Sequence, residues 1–231
     1  MFIKDKKILI VSAHPDDEIL GMGGTIAKAI DNGSEVHVAF LGEGISARFP
    51  IGDYESDEFK IQTKIRKEGA IKALKLLGVK NYYFGKRLCT QFDTYSRLSI
   101  VKEIEQFINK LKVDILFTHN PVEVNIDHII TYEAVEIACR PVNNNKPREI
   151  YTFEIVCSGN WKFDESFKPN VYVDINKYLD KKLEAWHHYQ GEGRPYPFPR
   201  SDLGLKTLAR YRGMASGLSL AEGFKLVRKI T

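Results

Sequence analysis

Six residues near the start, Lys7-Ile-Leu-Ile-Val-Ser12, form an apolar run with no polar alternation. No other feature constrains the fold as much. A strand with one wet face alternates apolar and polar residues, whereas a strand that is apolar throughout is covered on both faces, as at the centre of a parallel sheet. The segment that follows, Gly21 to Asp31, sets Ile26, Ala27 and Ile30 at helical spacing, and Asn32-Gly33 supplies a stop. A second strand is expected at Glu35–Leu41, a long amphipathic helix at about Asp57–Leu77 ending at Gly78, and a third strand at Val79–Phe84. Ser96–Leu111 then places Ile100, Val101, Ile104, Phe107 and Ile108 on one face, before a fourth apolar strand at Val113–Thr118. Four βα alternations predict an α/β protein, a Rossmann-like three-layer α/β/α sandwich with a mostly parallel sheet. Right-handed crossovers put the loops after its strands on one edge, where open α/β sheets bind ligands.

The remainder is less regular. Glu149–Cys157 and Val171–Asp174 read as strands, and helices are expected near Asn176–Tyr189, Ser201–Met214 and Ala221–Lys229. Gly191-Glu-Gly-Arg-Pro-Tyr-Pro-Phe-Pro199 is too rich in proline for either regular element. At 231 residues the chain is long enough for one substantial core. It is read as a single domain over 1–231, with a core of about 1–160 and a C-terminal lid or flank of about 161–231. No stretch approaches the roughly 18 apolar residues of a membrane span, and no signal-peptide core follows Met1, so a cytoplasmic protein is expected. Three cysteines, Cys89, Cys139 and Cys157, without close pairing argue against a disulfide framework or a cysteine metal site. The net charge of +4 is slight and its cations are dispersed, which excludes a nucleic-acid footprint. A homo-oligomer is left open.

Chemistry is concentrated at the end of the first strand, in Ala13-His-Pro-Asp-Asp-Glu18. His14 and Asp17 lie three positions apart across a proline and can face one point, a pair that suits zinc or another divalent metal. A hydrolytic zinc site needs a third protein ligand, and His128, in Asn125-Ile-Asp-His just after the fourth strand, sits at the same sheet edge. Asp16 remains beside the metal as a general base for its bound water. Glu18 reads as an outer-shell or early helix residue. Each residue alone is compatible with an ordinary strand-end loop or helix start. The combination on two neighbouring strand ends points to a metal site.

Those motifs, together with Arg66-Lys-Glu68, Leu77-Gly78 and the segment from Arg200 through Tyr211-Arg-Gly213 to Ala221-Glu-Gly-Phe224, closely resemble the PIG-L/LmbE-like zinc-dependent N-deacetylases. The resemblance implies a Rossmann-like fold and removal of an N-acetyl group from an amino sugar or sugar conjugate, with N-acetylated amino sugar as substrate. It implies His14, Asp17 and His128 as metal ligands and Asp16 as base, in agreement with the residues read alone. Many members of that family carry a histidine three positions before the last ligand, where this chain has Asn125. An amide donates a hydrogen bond but cannot supply a proton, so Asp16 carries both proton transfers or His187 or His188 assists. Family members contact the sugar with the loop after the second strand, which places Glu43 and Arg48 on the substrate, and Asp93 after the third strand is a further candidate. Other readings are hydrolysis of a different amide or a carbamoyl group, and a non-catalytic nucleotide-binding module.

Overall fold

The computed structural model describes residues 3–142 and 144–231. Its elements are β1 (Lys7–Ser12), α1 (Asp17–Asp31), β2 (Glu35–Gly42), α2 (Asp57–Leu77), β3 (Asn81–Arg87), α3 (Arg97–Leu111), β4 (Ile115–His119), α4 (Ile126–Ala138), β5 (Glu149–Phe153), β6 (Val171–Asp174), α5 (Leu179–Trp186), α6 (Asp202–Met214) and β7 (Ala221–Lys229). They build one mixed sheet in the order β3-β2-β1-β4-β5-β7-β6. The first five strands are parallel, and β7 runs antiparallel to both of its neighbours.

The apolar run of β1 is accounted for by its two neighbours and two cores. Ile8 and Ile10 pack into one hydrophobic cluster with Ile26 of α1 and Leu74 of α2, while Leu9 and Val11 pack into another with Ile104 of α3 and Ala134 of α4. Helix boundaries follow local signals. The Ser56 side chain accepts from the Phe59 N–H at the start of α2, and Gly78, at φ +89°, closes its end.

Helix α1 begins at Asp17, four residues before the expected start, because the Asp16 carbonyl already accepts from the N–H groups of Ile19 and Leu20. The helix is kinked at Met22. There Glu222 of β7 accepts from the N–H groups of Gly24 and Thr25, and Lys182 of α5 donates to the Leu20 carbonyl and pairs with Glu222 at 2.6 Å. Backbone groups freed by the kink are thus satisfied by the C-terminal part of the chain.

The helix expected at Ala221–Lys229 is a strand. From Lys225 onward exposure alternates residue by residue, a period of two, and both edges of β7 find ladder partners in β5 and β6. The strand expected to reach Cys157 stops at Phe153, and Cys157 adopts φ +78°, outside strand geometry. Strand β4 extends one residue past the expected end and thereby includes His119. Among the described residues no helix is long and apolar enough to cross a membrane.

Candidate metal centre

The sheet order reverses direction between β1 and β4, the position at which open α/β sheets bind ligands beyond the carboxyl ends of their strands. β1 leads into His14 there, β4 carries His119, and the first turns of α1 and α4 carry Asp17 and His128. One ligand atom from each of His14, Asp17 and His128 lies within 4.8 Å of the others, and all three residues are buried. Two imidazole nitrogens and a carboxylate oxygen form a donor set suited to a divalent metal.

Carboxylates dominate the electrostatics of this cluster. Burial alone would raise Asp17, but the neighbouring His128 and His119 hold it well below the usual carboxylate range. Burial alone would lower His128, but Asp17 and then Glu123 outweigh it and hold the imidazole at about 9. His14 is likewise raised against its burial, by Cys89, Asp127 and Asp17. His119 is lowered, by burial and by the charge on His128. A bound cation would take the place of the protons that this field attracts.

His14 is held from behind. The His14 N–H donates to Asp17 Oδ2 at 2.8 Å, and His14 Nε2 lies 2.7 Å from Asp127 Oδ2, which leaves Nδ1 for a metal. Asp127 is itself fixed by the N–H groups of Thr90 and Phe92, and Asn125 caps α4 by accepting from the Asp127 N–H at 3.0 Å. The glycine-rich loop after β2 passes close behind. Gly44, at φ +81°, is backed against His14, where an added Cβ would meet His14 Cβ at 3.2 Å.

Asp16 stands beside the cluster in a strained backbone conformation, φ 132° and ψ −28°. Its Oδ2 accepts from Arg66 Nη1 at 2.9 Å and from Arg200 Nη1 at 3.1 Å. Arg66 also donates to the Pro15 and Gly44 carbonyls and pairs with buried Glu192, which in turn holds Arg48 and Arg200. Glu18 takes the Asp16 N–H on one oxygen and the Tyr189 hydroxyl on the other, and burial pushes its carboxyl up to about 8.

Asn125, half-buried, keeps its side-chain amide N–H₂ after capping α4. Arg48 is about half exposed at its side chain and spends its guanidinium on Glu192. Glu43 faces its own loop, accepting from the N–H groups of Ile45, Ser46 and Cys89 and from the Ser46 hydroxyl. Asp93 is exposed in a short 3₁₀ turn. His187 pairs with Asp202 at the surface. Reading the sequence alone missed His119, Glu123, Asp127, Glu192 and Tyr189 as members of this neighbourhood. Of these, Asp127 carried a signal, since it sits in the same short motif as His128.

The family model for PIG-L, described as GlcNAc-PI de-N-acetylase, matches residues 9–139, more than half of the chain and the span that carries His14, Asp17 and His128. The chain belongs to the PIG-L family. Diacetylchitobiose deacetylase of Thermococcus kodakarensis is 31% identical over 96% of this chain and 83% of that protein. A probable N-acetyl-alpha-D-glucosaminyl L-malate deacetylase of Bacillus anthracis is 29% identical over 78% of this chain and 79% of its own length. Among solved structures, the N,N'-diacetylchitobiose deacetylase of Pyrococcus horikoshii superposes with a TM-score of 0.75 at 26% identity, covering 96% of this chain and 84% of that one. Membership makes this PIG-L protein a deacetylase, and so a hydrolase.

Within the PIG-L site, Arg66 is the buried residue whose loss should cost most in stability. Arg66→Ala would leave Asp16 and Glu192, both buried, short of a partner, a change of about 3–5 kcal/mol. Urea unfolding of the variant checks this. Arg66→Lys should recover only part of the loss, because an ammonium cannot span two carboxylates and two carbonyls as a planar fork does.

Proposed function

We propose that the chain is a zinc-dependent N-deacetylase of N-acetylated amino sugars, in which His14, Asp17 and His128 hold the metal and Asp16 moves the protons. The observation that carries this reading is the meeting of those three buried donors within 4.8 Å at the switch point of the sheet. When bound there, zinc supplies a Lewis acid for the acetamide oxygen and makes water acidic enough to attack near neutral pH.

The residues of the chain divide the remaining work. Arg66 and Arg200 anchor one oxygen of Asp16; the other accepts the proton of the attacking water and returns it to the amine as the C–N bond breaks. Acetate and a free amino sugar leave. The amide oxygen of Asn125 is committed to its helix cap, and its amide N–H₂ is left to donate a hydrogen bond to the developing oxyanion. It has no proton to transfer, so Asp16 serves both directions. Tyr189 and Glu18 brace the Asp16 backbone. Arg48 and Asp93 are the candidates for sugar contacts at the mouth, whereas Glu43 shapes the loop that carries Arg48.

The relatives named above act on diacetylchitobiose and, for the second, an N-acetylglucosaminyl malate. An N-acetylglucosamine unit is common to both and is the expected unit here. The test is acetate release by the zinc-loaded chain from N-acetylglucosamine, diacetylchitobiose and N-acetylglucosaminyl malate. Turnover of at least one is expected, with loss on chelation. A chain that holds zinc yet releases no acetate from any of them overturns the amino-sugar assignment, and mass spectrometry of any other acid released identifies a different amide.

A further inference from the structure

Behind the metal ligands lies a second group of buried polar atoms that the reaction does not use. Glu123, in the loop between β4 and α4, is fully buried, and neither of its carboxylate oxygens has a hydrogen-bond partner among the described residues. The same holds for Nδ1 of His119 and Nδ1 of His128, both buried. These atoms belong together: Glu123 Oε2 is 3.3 Å from His128 Nδ1, and ligand atoms of His119, Glu123 and His128 all lie within 4.8 Å of one another. The two imidazoles stack with centroids 4.0 Å apart and planes 21° from parallel. An isolated buried carboxylate costs several kcal/mol, so either protons or a second cation must satisfy this cluster.

The tautomers decide between them. His119 Nε2 accepts from the Ala13 N–H at 2.9 Å, so the ring proton of neutral His119 sits on Nδ1. His128 turns Nε2 toward Asp17 Oδ1, 3.4 Å away, so a metal held beside Asp17 takes Nε2 and leaves the proton on Nδ1. His128 Nδ1, the nitrogen 3.3 Å from Glu123 Oε2, therefore carries hydrogen and turns an N–H toward that carboxylate. A second cation would need a lone pair on each Nδ1.

We propose that Glu123 is a positioning residue that holds the Nδ1–H of His128, fixing His128 in the tautomer and rotation that present Nε2 to the metal. The inference rests on His128 being a metal ligand. It gives each ligand histidine its own carboxylate, Asp127 behind His14 and Glu123 behind His128. The two face the metal through opposite nitrogens, Nδ1 and Nε2. His119 stacks on the His128 ring as a spacer, with its Nε2 tied to the Ala13 N–H just after β1.

The experiment compares the full chain with Glu123→Gln, a nearly isosteric change that removes the negative charge facing the His128 Nδ1–H. Zinc affinity is measured by competition with a chelator, stoichiometry by elemental analysis, and histidine tautomers by long-range ¹H–¹⁵N NMR. The wild-type chain is expected to bind one zinc with both His119 and His128 in the Nδ1–H form, and the variant to bind zinc roughly 10–100-fold more weakly. Unaltered affinity in the variant, or an Nε2–H form for wild-type His128, overturns the proposal. Two zinc ions per wild-type chain, one of them lost in the variant, overturn it in favour of a second metal site. No zinc uptake by the wild type overturns the metal reading beneath it. If the variant does not fold, the wild-type tautomers decide alone.

Discussion

Asp16→Asn is expected to lower kcat by about 100–10,000-fold, the span over which positioned general bases contribute, while the zinc content of the chain stays at the wild-type level. Asp16 is not one of the three converging donors, and its side chain turns instead to Arg66 and Arg200, so the metal site survives its neutralisation. Asparagine retains the shape and one carbonyl oxygen for the two arginines. Under the proposed mechanism, what disappears is the ability to accept a proton from the nucleophile and return it to the amine. With Asn125 in place of an imidazole, no neighbouring group at that position can replace it, so the loss should fall on kcat more than on KM. Steady-state kinetics together with elemental analysis read both quantities. A variant with full zinc and near-normal kcat removes Asp16 as the proton carrier.

Asp17→Asn should be more severe, with zinc lost at micromolar concentrations and deacetylation falling to background. Asp17 is the centre of the cluster. Its Oδ2 accepts from the His14 N–H at 2.8 Å and lies 3.3 Å from His119 Nε2, while Oδ1 lies 3.4 Å from His128 Nε2. An amide removes the one negative ligand and turns a donor toward one of these atoms. Elemental analysis and assay with added zinc measure the outcome.

The same substitution has a signature in proton binding that does not depend on metal. Against its burial, His128 is held at about 9 with Asp17 as the foremost cause, so in chelator-treated Asp17→Asn its imidazole should titrate well below 9 by NMR. The signs for stability follow. His128 binds its proton more tightly in the folded chain, so its contribution is full below the ordinary histidine value of about 6.5 and is lost as pH rises through about 9. Asp17 is depressed by His128 and His119 against its burial, so its contribution is full above the ordinary carboxylate value of about 4 and is lost as pH falls through the depressed value. Between those limits both act together. In the variant both slopes should flatten in denaturant titrations of the chelator-treated protein.

Much of this site was legible in the sequence because its first half is local. His14, Pro15, Asp16 and Asp17 follow a strand whose apolar run required a central position, and a three-residue separation sufficed to turn two donors to one point. The extent of α2 was readable for the same reason, since a serine cap and a terminal glycine act on the residues beside them. Strand β7 was misread because a strand has no local hydrogen bonds. Its state was decided by β5 and β6, both far away in sequence, and Lys225-Leu-Val-Arg-Lys229 carries no apolar/polar alternation to reveal it. Arg48 looked free to reach a substrate until the fold brought Glu192 to it from more than a hundred residues away.

By itself, then, the sequence determined the α/β alternation, the strand end that carries His14, Asp16 and Asp17, and the later motif that carries His128, since backbone propensity, caps and short spacings are written in contiguous residues. Only the tertiary structure decided how those side chains are supported. The reversal of strand order between β1 and β4 brings His119, Glu123 and Asp127 behind His14, Asp17 and His128, and the C-terminal segment delivers Glu192 and Arg200 to Asp16. A buried charge is stabilised by whichever groups the fold places within a few ångströms of it, and that neighbourhood is set by chain topology rather than by distance along the chain.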